Sequence, residues 1–170
     1  IEPDGSVSIQ ESTAIGVSLA QSQLKVQGDL SIQAPKNDAG LSLDASALIL
    51  TGNLDISDAP IGVLTNAATL VSPLPKESSE PPTLSVQVTD GPCMTLLNNT
   101  SATLYQATLR GCGGAGISLS TASSLGVSDA LWIDTPNGTG ITATDSALSL
   151  TGVQIDAPAG AGIYLQGGTL

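Results

Sequence analysis

Residues 116–139, GISLSTASSLGVSDALWIDTPNGT, align beneath residues 140–161, GITATDSALSLTGVQIDAPAGA, and residues 162–170, GIYLQGGTL. Each segment opens on a glycine followed by isoleucine, and Ile117, Ile141 and Ile163 fall 24 and 22 residues apart. Leu125, Leu148 and Leu170 repeat the interval at 23 and 22 residues. Upstream, Val17, Leu41 and Val63 are separated by 24 and 22 residues, and so are Leu24, Leu48 and Leu70. A period of this length means that one small unit is repeated along the chain.

Inside a unit the apolar residues alternate with others. Val7-Ser8-Ile9, Leu24-Lys25-Val26, Leu30-Ser31-Ile32, Leu41-Ser42-Leu43, Leu54-Asp55-Ile56, Leu84-Ser85-Val86, Leu131-Trp132-Ile133, Leu148-Ser149-Leu150 and Val153-Gln154-Ile155 all read aliphatic, variable, aliphatic. Period two predicts short strands with one face buried. Gly, Pro, Ser, Thr and Asp interrupt every apolar stretch before a helix of useful length can form. The last complete unit predicts strands over 141–143, 148–150 and 153–155. Pro35, Pro60, Pro136 and Pro158 each follow an isoleucine by a few residues, where a strand must stop donating ladder hydrogen bonds.

A unit this small cannot fold alone. Roughly six inward aliphatics at about 1.5–3 kcal/mol each do not offset about 1–2 kcal/mol of backbone entropy per residue. The unit must stack on copies of itself, so the sequence predicts an all-β chain folded as a right-handed parallel β-helix. It is a three-sheet solenoid of about seven or eight coils, each of roughly 20–24 residues, in a single domain over residues 1–170. A twisted sandwich also yields many short strands, but it predicts spacing by strand and not by triplets of strands. The sequence ends in mid-unit, just after a first strand, and is expected to be a piece of a longer solenoid.

Composition narrows the function classes. Fifteen Asp and Glu against four Lys and Arg leave a net charge of −11, and there is no histidine. So few cations cannot neutralise a run of phosphates, and nucleic acid is not an expected partner. Without histidine, imidazole acid–base chemistry and His-dependent triads or metal sites are excluded within this chain. No apolar run approaches the roughly 18 residues of a membrane span, so this segment is not expected to insert in a membrane. The 41% hydrophobic content includes one Trp, two Tyr and no Phe, so the core must be aliphatic.

Two features depart from the repeat. Residues 71–83, VSPLPKESSEPPT, hold four prolines and form a predicted loop insertion, whose Lys76, Glu77 and Glu80 are candidate contacts for a partner. Cys93 and Cys112 lie 19 residues apart, close to one coil, and are predicted to form a disulfide. Asn98-Asn99-Thr100, Asn99-Thr100-Ser101 and Asn137-Gly138-Thr139 match the N-glycosylation acceptor pattern, which also suits solenoid turns.

No catalytic constellation is legible. A polysaccharide lyase would need gathered carboxylates and a base, yet Lys25, Lys36, Lys76 and Arg110 are scattered. Asp129, Asp134, Asp145 and Asp156 are the carboxylates that stacking would have to bring together for hydrolysis. The outward position after each marker glycine reads Ser18, Ser42, Leu64, Ser118, Thr142 and Tyr164, and Thr142 and Thr144 form a Thr-x-Thr pair. Ser118, Thr142 and Thr144 are therefore candidate binding residues. Catalytic residues, metal ligands and cofactors are not expected.

The units GISLSTASSLGV, GITATDSALSLTGVQIDAP and GIYLQGGTL, with AGLSLDASALILTGNLDIS upstream, resemble the coils of pertactin-type autotransporter passengers. The resemblance covers about three quarters of the chain and rests on a packing pattern, so no functional residue carries over. It implies an exported surface protein with adhesive or virulence functions. The function expected is accordingly a non-enzymatic, secreted or cell-surface adhesin or stalk segment that contacts host glycans, matrix proteins or a copy of itself. A polysaccharide-active or carbohydrate-binding β-helix is the alternative.

Overall fold

A computed structural model describes residues 7–10, 15–33, 38–72, 81–135, 138–156 and 159–170. These residues form eighteen strands, β1 to β18 in chain order, and no helix. Every strand pairing is parallel. The chain is a parallel β-solenoid, as its periodicity requires.

Face A is a seven-stranded sheet of β2 (Val17–Ala20), β5 (Ala39–Asp44), β8 (Ile61–Asn66), β11 (Met94–Leu97), β13 (Ile117–Ser120), β15 (Ile141–Thr144) and β18 (Ile163–Gln166). One strand per coil gives six full circuits between the first and the last, close to the coil number expected. The marker residues stack in register: Val17 on Leu41, Leu41 on Val63, Ile117 on Ile141 and Ile141 on Ile163.

Face B holds β3 (Gln23–Val26), β6 (Ala47–Leu50), β9 (Thr69–Val71) and β16 (Ala147–Leu150). Face C holds β1 (Val7–Ile9), β4 (Leu30–Gln33), β7 (Leu54–Ala59), β10 (Thr83–Val88) and β17 (Val153–Asp156). Two long strands, β12 (Ser101–Arg110) and β14 (Ser124–Asp134), run through both faces. They join B and C into a single eleven-stranded sheet where separate sheets were expected. The physical reason is local. Earlier coils turn the B–C corner at Gln27-Gly28-Asp29 and Thr51-Gly52-Asn53, whereas these two strands cross it through Leu104-Tyr105-Gln106 and Val127-Ser128-Asp129-Ala130, with no turn-forming glycine. The bend is taken up by a register shift after the Leu104–Val127 pair, where β14 uses one residue more than β12.

The interior is built from aliphatic columns that run from coil to coil. Ile32, Ile56, Val86, Leu109 and Ile133 stack on face C, and Leu48, Leu70, Ala102, Leu125 and Leu148 on face B, all buried. Each fully buried aliphatic contributes about 1.5–3 kcal/mol, so stability accumulates along the stack.

The three corners solve different problems. At the A–B corner every coil places a residue in the left-handed region: Gln21, Ala45, Ala67 and Asp145 singly, and Asn98 with Asn99 and Thr121 with Ala122 in pairs. A hydroxyl follows and caps the turn except after Ala67, where Ala68 stands and its amide donates to Thr100 of the next coil. Ser46, Thr100, Ser123 and Ser146 are buried and donate to the carbonyls of Asp44, Leu97, Ser120 and Thr144 at 2.7, 2.7, 2.7 and 2.8 Å. Where the turn has one residue the hydroxyl reaches back two positions, and where it has two it reaches back three.

At the C–A corner glycine is needed for close approach. A Cβ added at Gly40, Gly116 or Gly140 would overlap the Cγ2 methyl of Ile56, Ile133 or Ile155. The marker glycines therefore exist because a β-branched residue on face C closes against them, joined at Gly116 and Gly140 by the carbonyl oxygen of the next coil's glycine. In one coil the glycine position, registered with Gly62 through the Val63–Met94 pair, is Cys93. That coil is also the one in which unbranched Leu109 occupies the face C column. Cys93 bonds Cys112 across a Cα–Cα distance of 5.3 Å, and both are fully buried, as the sequence expectation required.

Candidate functional site

The outer surface of face A carries the residues singled out in the sequence. Ser118 on β13 is registered with Thr142 on β15, and Ser120 with Thr144, so Ser118, Thr142 and Thr144 form one outward cluster. All three are half-buried. The full column reads Ser18, Ser42, Leu64, Thr95, Ser118, Thr142 and Tyr164. Thr95 belongs to it and was missed because the insertion at 71–83 breaks the count before β11. Lys76, Glu77 and Glu80, and with them the core of that insertion, lie outside the described residues, as does Asn137 of the third acceptor pattern.

Two further polar ladders run along the corners. Asn66 donates its side-chain amide to Asp44 at 2.6 Å, and Asn98 donates to Asn66 at 2.7 Å. At the B–C corner Asp29 accepts the Asn53 amide at 2.8 Å, Asn53 accepts the Thr83 amide at 3.0 Å, Thr83 donates to Gln106 at 3.2 Å, and Gln106 donates to Asp129 at 2.6 Å. This second chain passes directly across the coil that carries the insertion, because Thr83 is the residue at which the chain rejoins the stack.

The four carboxylates considered for hydrolysis are separated by these elements. Asp129 is engaged by Gln106 at the B–C corner, and Asp145 sits in the left-handed turn of the A–B corner. Asp134 and Asp156 are neighbours in register on β14 and β17 of face C. Among the described residues there is no group of three or more His, Cys, Asp or Glu positioned to hold a metal ion.

Face C also carries a pair that sequence reasoning passed over. Leu131 and Ile133 point inward, so Trp132 points out, and Arg110 continues the outward series of β12 after Thr108. The Arg110 guanidinium lies 4.5 Å from the centroid of the Trp132 ring, within cation–π range. Arg110 is exposed and Trp132 half-buried, with its indole N–H buried and unpaired. The Leu-Trp-Ile triplet already turns the ring outward, but Trp132 is registered with Thr108, and Arg110 reaches it diagonally, which only the register of β12 against β14 shows.

The apolar cavity lined by Val7, Ile9, Val17, Leu24, Val26 and Leu30 has Lys25 as its single polar residue and offers no comparable set of polar groups. No protein-family model, no curated protein and no solved structure matches this chain.

Proposed function

We propose that the chain is a non-enzymatic attachment module, a segment of a secreted or cell-surface adhesin or stalk whose partners are glycans, matrix proteins or a second copy of itself. The observation that carries this reading is the surface of the rod. In-register outward columns repeat hydroxyl and amide groups from coil to coil on a backbone locked by parallel ladders. Such a surface binds side-on through many weak contacts, and a rigid scaffold keeps those contacts simultaneous. The Cys93–Cys112 disulfide is compatible with an oxidising extracellular compartment. The resemblance of the coils to pertactin-type passengers supports a bacterial surface location with a role in adhesion or virulence.

A polysaccharide-active solenoid is the second reading, and the specific observation in its favour is the registered Asp134 and Asp156 pair beside Arg110 on face C. Against it, Asp129 is held by Gln106 and Asp145 lies at a different corner. Binding of the purified chain to an array of glycans and matrix proteins, with mass analysis of the bound glycans afterwards, separates the two. The attachment reading expects saturable binding to at least one class, or concentration-dependent self-association, with ligand masses unchanged. Shortened or unsaturated products would sink it in favour of the enzyme.

A further inference from the structure

We infer that Trp132 and Arg110 form the centre of a binding subsite for a neutral sugar ring on face C, an assignment that rests on the attachment reading above. The chain has one tryptophan, and it does not spend it on the core. The same outward column is filled by Ser31, Asp55, Ser85 and Thr108 in preceding coils and by Gln154 in the next, so the fold does not need an aromatic there. An indole on the outside of a sheet is a contact surface, and Trp and Arg are the residues on which binding energy concentrates.

The surroundings define what the surface takes. The Arg110 guanidinium packs on the ring and forms no hydrogen bond or ion pair with a described residue, leaving its N–H groups to donate outward. Asp134 and Asp156 stand in register one and two strands on, and supply acceptors. Gln87, registered with Arg110, and Gln154, registered with Trp132, add amides that both donate and accept. These groups lie on four successive strands about 4.8 Å apart and span about 14 Å, room for one ring over the indole and for its neighbours along an oligosaccharide. An anion would have to approach two carboxylates on a chain of net charge −11, and a cation would meet the guanidinium. A neutral polyol uses donors and acceptors together while its C–H face lies on the apolar indole. The buried indole N–H is not available to the ligand and Arg110 covers one face of the ring, so the exposed part of the indole beside the guanidinium is what it offers.

Because Trp132 is the only tryptophan, its emission reports this subsite alone. The intact chain is titrated with neutral hexasaccharides of glucose, mannose and N-acetylglucosamine and with a hexauronate, following emission, acrylamide quenching and calorimetry. A saturable emission shift and protection from quenching are expected with at least one neutral oligomer and not with the hexauronate. W132A should weaken binding by about tenfold or more and R110A by several-fold, while W132F keeps part of it and K25A, at an exposed position on face B, leaves it unchanged. Unchanged melting temperatures of these variants, all at outward positions, separate a lost contact from a lost fold. Binding of the hexauronate alone overturns the neutral-sugar assignment. Array binding by the intact chain that W132A and R110A retain in full overturns the subsite and leaves the attachment reading standing. An intact chain that binds nothing on the array and shows no emission change overturns the subsite, and it removes the attachment reading as well when the chain also shows no concentration-dependent self-association.

Discussion

The coil that begins at Cys93 and the coils that begin at Gly40, Gly116 and Gly140 reach the same cross-section by opposite packing at the C–A corner. In the glycine coils a β-branched isoleucine on face C presses its Cγ2 methyl into the space a Cβ would need. In the cysteine coil the face C residue is Leu109, which has no branch at Cβ, and the corner is filled by the Cys93–Cys112 bridge. A solenoid position is thus specified by a pair of residues about 16 apart in sequence, and not by the glycine alone. The difference also shows why the irregular coil tolerates its irregularity, since it carries a covalent staple that the others lack.

The comparison can be broken most severely at the bridge. Replacing both Cys93 and Cys112 with Ala is expected to cost about 2–5 kcal/mol, read as a fall in the urea midpoint that reducing agent reproduces in the parent and not in the variant. Next, Gly40→Ala should cost about 1–3 kcal/mol by overpacking against Ile56, and Ile56→Leu in the same chain should recover part of it. A double-mutant cycle with no coupling between these two positions would refute the pairing. The mirror-image change, Leu109→Ile, should destabilise the cysteine coil by a similar amount, although Leu and Ile have the same volume.

Effects no larger are expected at the A–B corner, where the coils share a left-handed turn of one or two residues. The Thr100 hydroxyl donates to the Leu97 carbonyl at 2.7 Å and accepts the buried Ala68 amide at 3.3 Å. Thr100→Val leaves the Ala68 amide without a partner, while the Leu97 carbonyl keeps the Ala67 amide at 3.1 Å, and should cost about 1–3 kcal/mol. Ala67 holds a φ of 48°, so Ala67→Gly removes Cβ strain and should stabilise the chain by about 1 kcal/mol, opposite in sign to the usual effect of glycine in a strand protein. Thermal or urea denaturation checks both.

How much of this was legible in the sequence follows from the same packing logic. Register was readable because identical residues recur at identical points, as with Ile117, Ile141 and Ile163, and the structure stacks them directly. The cysteine pair was readable from its near-coil spacing. The fusion of faces B and C was not, because β14 has no Gly or Asn at the bend itself, Val127-Ser128-Asp129-Ala130, and its Gly126 falls within the strand before it. Thr95 was lost from the hydroxyl column since the insertion shifts the count in front of β11. The Arg110–Trp132 contact needed the register of β12 against β14, which the bend at Leu104 conceals. The buried hydroxyls of the A–B corner were hidden by abundance: in a chain rich in Ser and Thr, nothing marks Ser46, Ser123 or Ser146 as inward until the stack is built.

The central claim is that this rod holds a surface and does not alter it. It is tested most directly by retaining the purified chain on beads coated with defined glycans or matrix proteins and then weighing the released ligand by mass spectrometry. The account predicts saturable retention and ligand of unchanged mass. Retention accompanied by cleaved or unsaturated glycan, or no retention on any surface together with no self-association, would contradict it.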